Sequence, residues 1–165
     1  MGNYLSVIVQ GLQVTLVPTP TDEVITLIGE LNEELFALYT PEQRHGLSLD
    51  AIFQPHIRFF VAWLDNEPVG CGGIALLDGF AEMKRLYVRP NVRGKGIAEA
   101  IVSKLAEETV KSGRTLLRLE TGSHSFAALR FYSRLGFQLC EAFEPYVFMP
   151  PRDIIASVFF EKHVG

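Results

Sequence analysis

The feature that most constrains this chain is a glycine turn set between a strand-like run and a helix-like run. Glu82 to Val88 reads as a strand, and Arg93-Gly94-Lys95-Gly96-Ile97-Ala98 follows after a short connection. Ile97, Ala98, Ile101, Val102, Leu105, Ala106 and Val110 then recur at helical spacing. Glycine at positions 94 and 96 clears side chains from the backbone, and the N-terminal N–H groups of the helix point back at the turn. Such a turn is an anion site suited to the pyrophosphate of a nucleotide-like cofactor. Gly113 supplies a helix end, and Thr115 to Glu120 reads as the next strand. A strand reached through a helix predicts a parallel neighbour.

The rest of the chain predicts one α/β domain over residues 1–165, with a mixed, mostly antiparallel twisted sheet and helices on both sides. A chain of 165 residues suffices for one core and is short for two. Leu12 to Val17 alternates as a strand closed by Pro18 and Pro20. Thr21 is placed as an N-cap, with Asp22 and Glu23 in the first turn. Val24, Leu27, Ile28, Leu31, Leu35 and Leu38 share one helical face, and Tyr39 ends the run. Thr40-Pro41-Glu42-Gln43 looks like a capping box and predicts a second, shorter helical region towards Phe53.

Ile57–Leu64, Val69–Leu77 and Phe80–Val88 read as three strands of a meander, joined at Asp65-Asn66-Glu67-Pro68 and Asp78-Gly79. Gly70, Gly72 and Gly73 predict irregularity or close approach in the middle strand. A helix spans about Ser125 to Leu135 and ends at Gly136; Phe137–Glu141 and Ile154–Lys162 read as the last strands. Between them, Glu141 to Asp153 is a proline-bearing connection long enough to cover a site.

Composition narrows the partners. The formal net charge of −4 argues against a non-specific nucleic-acid binder, which needs a basic face. Cys71 and Cys140 form no framework and read as reduced, buried thiols of a cytoplasmic protein. No apolar run is long enough for a bilayer span, so no membrane partner is expected. Met1-Gly2 with Ser6 matches a myristoylation pattern, a short signal that chance often produces. His45, His56 and His124 lack ligand spacing, so no metal site is expected.

A dinucleotide fold is one alternative for the glycine turn, with Glu120 at a strand end downstream. Against it, Arg89-Pro90-Asn91-Val92-Arg93 separates strand from glycines, the third glycine would fall at Glu99, and a meander does not suit a doubly wound sheet. Taken in order, EMKRLYVRP, RGKGIA and FYSRLGF resemble the motifs of the GNAT superfamily of acetyl-CoA-dependent N-acetyltransferases. The motifs cover about the central third of the chain, and the element order outside them also suits the family.

The resemblance implies specific roles. Backbone N–H groups of Arg93, Gly94, Lys95, Gly96, Ile97 and Ala98 would hold the pyrophosphate of acetyl-CoA. Leu86, Tyr87 and Val88 would offer backbone groups to the pantetheine arm and acetyl carbonyl. A bulge in that strand would splay it from its parallel neighbour. Tyr132 would protonate the departing thiolate, and Ser125 stands where the family often has asparagine. Glu82 is the implied base, acting directly or through water, with Glu120 as a rival.

Each role has a plainer counterpart. Glu82 could be a solvated strand carboxylate, Tyr132 a packed ring, Glu120 a cap for the segment after it, and Arg93 and Lys95 surface charges. Phe59, Phe60, Trp63, Phe126 and Phe131 are expected in the core, and Tyr146 either in a covering loop or as a surface anchor. The expected reaction is direct attack by an amine of a small molecule or peptide in a ternary complex. Arg44, His45 and Arg58 would favour an acidic acceptor, or face water. A non-catalytic acyl-CoA sensor is the alternative, and pairing into a homodimer is a further expectation.

Overall fold

The computed structural model describes residues 9–165, so the myristoylation pattern lies outside the described residues. Seven strands form one sheet in the order β1-β2-β3-β4-β5-β7-β6. They are β1 (Leu12–Leu16), β2 (Ile57–Leu64), β3 (Glu67–Leu76), β4 (Ala81–Val88), β5 (Leu116–Gly122), β6 (Gln138–Leu139) and β7 (Ser157–His163). Every pairing is antiparallel except β4 with β5. The helices are α1 (Asp22–Phe36), α2 (Ile97–Lys111), α3 (Phe126–Arg134) and a single-turn α4 (Pro151–Ile154).

Strand alternation sorts the core onto two faces. On β2, Phe60 and Ala62 pack with Ile97, Ile101 and Leu105 of α2, while Ile57, Phe59 and Val61 pack with Val24, Leu27 and Ile28 of α1. A third cluster, Phe80, Phe143, Tyr146 and Phe159, closes the β5–β7 end. Helix α1 starts where the sequence places it: the Thr21 hydroxyl accepts from the Val24 amide at 3.4 Å.

Several expectations need correcting. The second helical region is reduced to 3-10 turns at Pro41–Gln43 and Ala51–Phe53, although Gln43 does reach back to the Thr40 amide at 3.1 Å. Leu38 and Val110 are exposed, the first because α1 has already ended and the second because Thr109 takes the inward position on α2. Phe126 is exposed, not core, since it opens α3 at its solvent side. Cys140 is only half-buried, whereas burial pushes the Cys71 thiol up to about 12. The last strand begins at Ser157, because Pro151–Ile154 turns as a helix first. No helix among the described residues is long and apolar enough to cross a membrane.

Two departures from regular pairing create the site. Between β3 and β4 the register slips: Cys71 faces Tyr87, but Gly73 faces Lys84. Arg85 and Leu86 therefore share the space opposite Gly72, and Arg85 takes a left-handed φ of 60°. Gly72 leaves room there, since a Cβ would meet Ile101 Cγ2 at 3.0 Å. The second departure is that β4 and β5 pair only across Ala81–Met83 and Leu117–Leu119. Beyond Met83 the two strands separate, and β4 runs to Val88 with no partner on that edge.

Candidate active site

The glycine turn lies at the far end of β4. Gly94 and Gly96 have φ of 81° and 84°, a region that other residues reach only with strain. Gly96 is the residue from which α2 begins. The Arg93 amide donates to the Pro90 carbonyl at 3.4 Å, so it is not available to a ligand. The amides from Gly94 to Ala98 have no acceptor among the described residues. Five consecutive donors at a helix start fit a diphosphate. The Arg93 side chain faces elsewhere: Nε donates to the Val88 carbonyl at 2.8 Å and a terminal nitrogen to Glu34 at 2.7 Å. Lys95 is exposed beside the turn.

The opening between β4 and β5 leads into a cavity of about 130 Å³. Glu82, Met83, Lys84, Arg85 and Leu86 line one side, and Leu119 to Gly122 the other. Tyr39, Gln43 to Gly46, Tyr132 and Tyr146 close it. No residue of the glycine turn reaches this cavity. Leu86 faces it, whereas Tyr87 turns away, its hydroxyl donating to Glu30 at 3.0 Å, and burial first, then that carboxylate, pushes its phenol up to about 12.

Glu82 is not a solvated carboxylate. It is 2% exposed. Its Oε2 accepts from the Tyr146 hydroxyl at 2.5 Å and pairs with Lys84 Nζ at 3.2 Å. Lys84 also donates to the Tyr146 hydroxyl at 2.8 Å and to the His45 carbonyl at 3.2 Å. The His45 ring is held in turn by the Asp153 carbonyl at 2.7 Å. Tyr146 is therefore buried at the site and is not a surface anchor; burial drives its phenol far above the usual range.

Glu120 lies across the cavity and accepts from the Ser157 hydroxyl at 2.5 Å. Burial raises its carboxyl above the usual range, only partly offset by Ser157, His45 and Lys84. It is thus not the cap for the segment after β5. Tyr132 lines the same cavity, its hydroxyl bonded to no group among the described residues. Burial, with Glu120 nearby, pushes that phenol up. Ser125, at the start of α3, shares a 2.8 Å hydrogen bond with the Tyr39 hydroxyl, which also accepts from the His124 amide at 3.1 Å.

The cations are distributed unevenly. Arg44 is half-buried at the cavity, its Nε donating to the Thr40 carbonyl at 3.3 Å and its guanidinium over the Phe36 ring. Arg58 is not at the cavity; it donates to the Pro55 carbonyl at 2.8 Å. Arg85, which sequence reasoning passed over, does line it. No His, Cys, Asp and Glu cluster among the described residues is suited to a metal ion. Tyr39 and Tyr146 carry no local motif and are brought in by contacts between distant segments, whereas Lys84 and Arg85 lie within the EMKRLYVRP motif without a role assigned to them. The nearest available signal was the strand position of Lys84 and Arg85, next to Glu82.

Residues 25–137 match the acetyltransferase (GNAT) family. An IAA acetyltransferase of Azospirillum brasilense is 36% identical over 143 residues, spanning 86% of this chain and 90% of the relative. YsnE, an uncharacterized N-acetyltransferase of Bacillus subtilis, is 35% identical over 75% of this chain and 84% of its own length. Among solved structures, a candidate acyl-CoA N-acyltransferase of Klebsiella pneumoniae is 32% identical with a TM-score of 0.75, covering 93% of this chain and 98% of that one. The PaiA N-acetyltransferase of Thermoplasma acidophilum, solved with coenzyme A, shares the fold at a TM-score of 0.68 and 18% identity, covering 92% and 99%.

Proposed function

The chain belongs to the acetyltransferase (GNAT) family, and from that premise we propose how its residues carry an acetyl group from acetyl-CoA to an amine. The co-substrate supplies a thioester carbonyl already activated for attack. The observation that carries the proposal is the early end of β4–β5 pairing, which opens a slot between free main-chain donors and a cavity holding carboxylates and a phenol. In this reading the amides of Gly94 to Ala98 hold the diphosphate. The edge of β4 that lacks a paired strand, Leu86 to Val88, faces the thioester arm, with its backbone N–H groups stabilising the developing oxyanion, while the Val88 carbonyl is held by Arg93. Ser125, tied to Tyr39, borders the same slot.

An alkylamine holds its proton at neutral pH, with a pKa of roughly 10. A carboxylate must remove it. Glu82 is the base suggested by the motif, but two donors already occupy its Oε2. Glu120 has a single protein donor, and burial raises its proton affinity towards that of a useful base. We therefore place the base at Glu120 and give Glu82 the task of positioning Lys84 and Tyr146. The new C–N bond forms first as the carbonyl oxygen takes the negative charge, and collapse of that oxyanion then breaks the C–S bond. Tyr132, kept protonated by its buried setting, gives a hydrogen bond and then its proton to the departing sulfur. The proton shed by the new amide nitrogen restores the phenol.

The cavity favours a small-molecule amine over a peptide, since its volume is only about 130 Å³ and Tyr39, Tyr146 and the Gln43–Gly46 segment line it. A non-catalytic sensor finds no support: the relatives are named as acetyltransferases, and the pocket holds groups for proton transfer. Thiol release from acetyl-CoA across an amine panel tests the proposal. Turnover with at least one amine supports it; tight cofactor binding with no turnover by any amine overturns it.

A further inference from the structure

The charges around the cavity do not balance locally. Glu82 is matched by Lys84, and Glu120 is held by Ser157 with its carboxyl raised. The guanidinium of Arg85 makes no ion pair with any described residue. One terminal nitrogen donates to the neutral Asn32 side chain at 2.5 Å. Its Nε is sealed from solvent and has no acceptor among the described residues. Burial alone pulls this cation below its usual range. A partly buried guanidinium without a carboxylate partner is unfavourable, and arginine's fork is suited to a carboxylate brought by a ligand.

The backbone shows how Arg85 comes to face the cavity. In a regular strand, Arg85 would point away from the face shared by Glu82 and Lys84. The register slip opposite Gly72 and the left-handed φ at Arg85 instead turn Arg85 to the side of Asn32 on α1, where it lines the cavity with Lys84. The Gly46 position then accommodates the side chain: a Cβ there would overlap an Arg85 terminal nitrogen. A simple clamp between α1 and this loop would not need a charged group lining a cavity.

We propose that the acceptor carries a carboxylate as well as its amine, and that Arg85 binds that carboxylate while the amine faces Glu120. The acceptor class is an amino acid or a related aminocarboxylate. This rests on the acetyl-transfer reading above, because it assigns the cavity to the acceptor.

Binding and turnover are measured separately. Calorimetry on the protein loaded with coenzyme A compares N-acetylglycine, N-acetyl-leucine and N-acetyl-aspartate with their carboxamides. Thiol release compares the parent amino acids with their amides. For the wild type, at least one acid should bind about tenfold more tightly than its carboxamide, the scale of a charge-assisted contact. In Arg85→Gln that ratio should fall towards one, and Arg85→Lys should keep part of it. Equal binding of acids and carboxamides by the wild type overturns the proposal, whatever the variants do. So does a wild-type preference that survives intact in a folded Arg85→Gln. A carboxylate preference without turnover by any amine would leave the acceptor-side inference standing and remove the acetyl-transfer reading. Turnover with no such preference would do the reverse.

Discussion

The two ends of β4 present different chemistry. At the Val88 end the donors are main-chain amides, from Gly94 to Ala98, and the nearby Arg93 side chain is committed to Val88 and Glu34. At the Ala81 end the cavity is made of side chains: Glu82, Lys84, Arg85, Glu120, Tyr132 and Tyr146. The first end depends on two left-handed glycines and a helix start, which are local. The second depends on α1, the Gln43–Gly46 segment and the Tyr146 loop meeting over one strand. Substitutions at the two ends should accordingly damage different steps.

The largest expected effect is at Glu120. Glu120→Gln should lower kcat by about a hundredfold or more, the usual scale of a lost general base, with cofactor affinity kept. The acidic limb of the pH–rate profile should vanish with it, whereas Glu82→Gln should retain that limb. If Glu82→Gln removes the limb and Glu120→Gln keeps it, the assignment of the two carboxylates is reversed. Next, Tyr132→Phe should cut kcat by about tenfold to a hundredfold in single-turnover assays while leaving acetyl-CoA binding near its starting value. Equal loss of both would make Tyr132 a packing residue.

At the other end, Gly94→Ala places a Cβ where no heavy atom lies within 4 Å, so only the φ of 81° opposes it. Holding that φ costs alanine about 1–2 kcal/mol, so the variant turn should relax when empty and bind acetyl-CoA roughly tenfold more weakly, read by calorimetry, without changing the preference among acceptors. A change in acceptor preference would erase the division between the two ends.

The smallest effect concerns stability. The Glu120 carboxyl is raised on folding, so the folded state holds its proton more tightly than the unfolded chain. The favourable protonated state is fully present below the unfolded value near 4.5 and is lost as pH rises through the higher folded value. Denaturant titrations should therefore show a gain in stability for Glu120→Gln at pH 8 that shrinks by pH 4. A gain independent of pH would mean that Glu120 is not the titrating group.

The same contrast explains what could be read from the sequence. The turn, the flanking strand and helix, and the meander all follow from patterns within about a dozen residues, and the parallel β4–β5 neighbour follows from the crossover. Gly70, Gly72 and Gly73 pointed to irregularity, yet the slip that turns Arg85 inward depends on how β3 meets β4. Tyr146 illustrates the limit. Its loop was legible as a cover, but its burial against Glu82 depends on a contact 64 residues away. Tyr39 reaches Ser125 across 86 residues, and nothing local to either announces it. Short elements fared worst: one turn of helix displaced the start of the last strand, because prolines at 150 and 151 set a turn where apolar residues suggested extension.

The most direct test is an NMR titration of the ¹⁵N-labelled protein with acetyl-CoA. The amides of Gly94 to Ala98 are expected to shift most, together with those of β4 from Leu86 to Val88, while Arg93 shifts less because its amide is already bonded. Shifts confined to other surfaces, with the Gly94–Ala98 amides unmoved at saturation, would contradict that expectation.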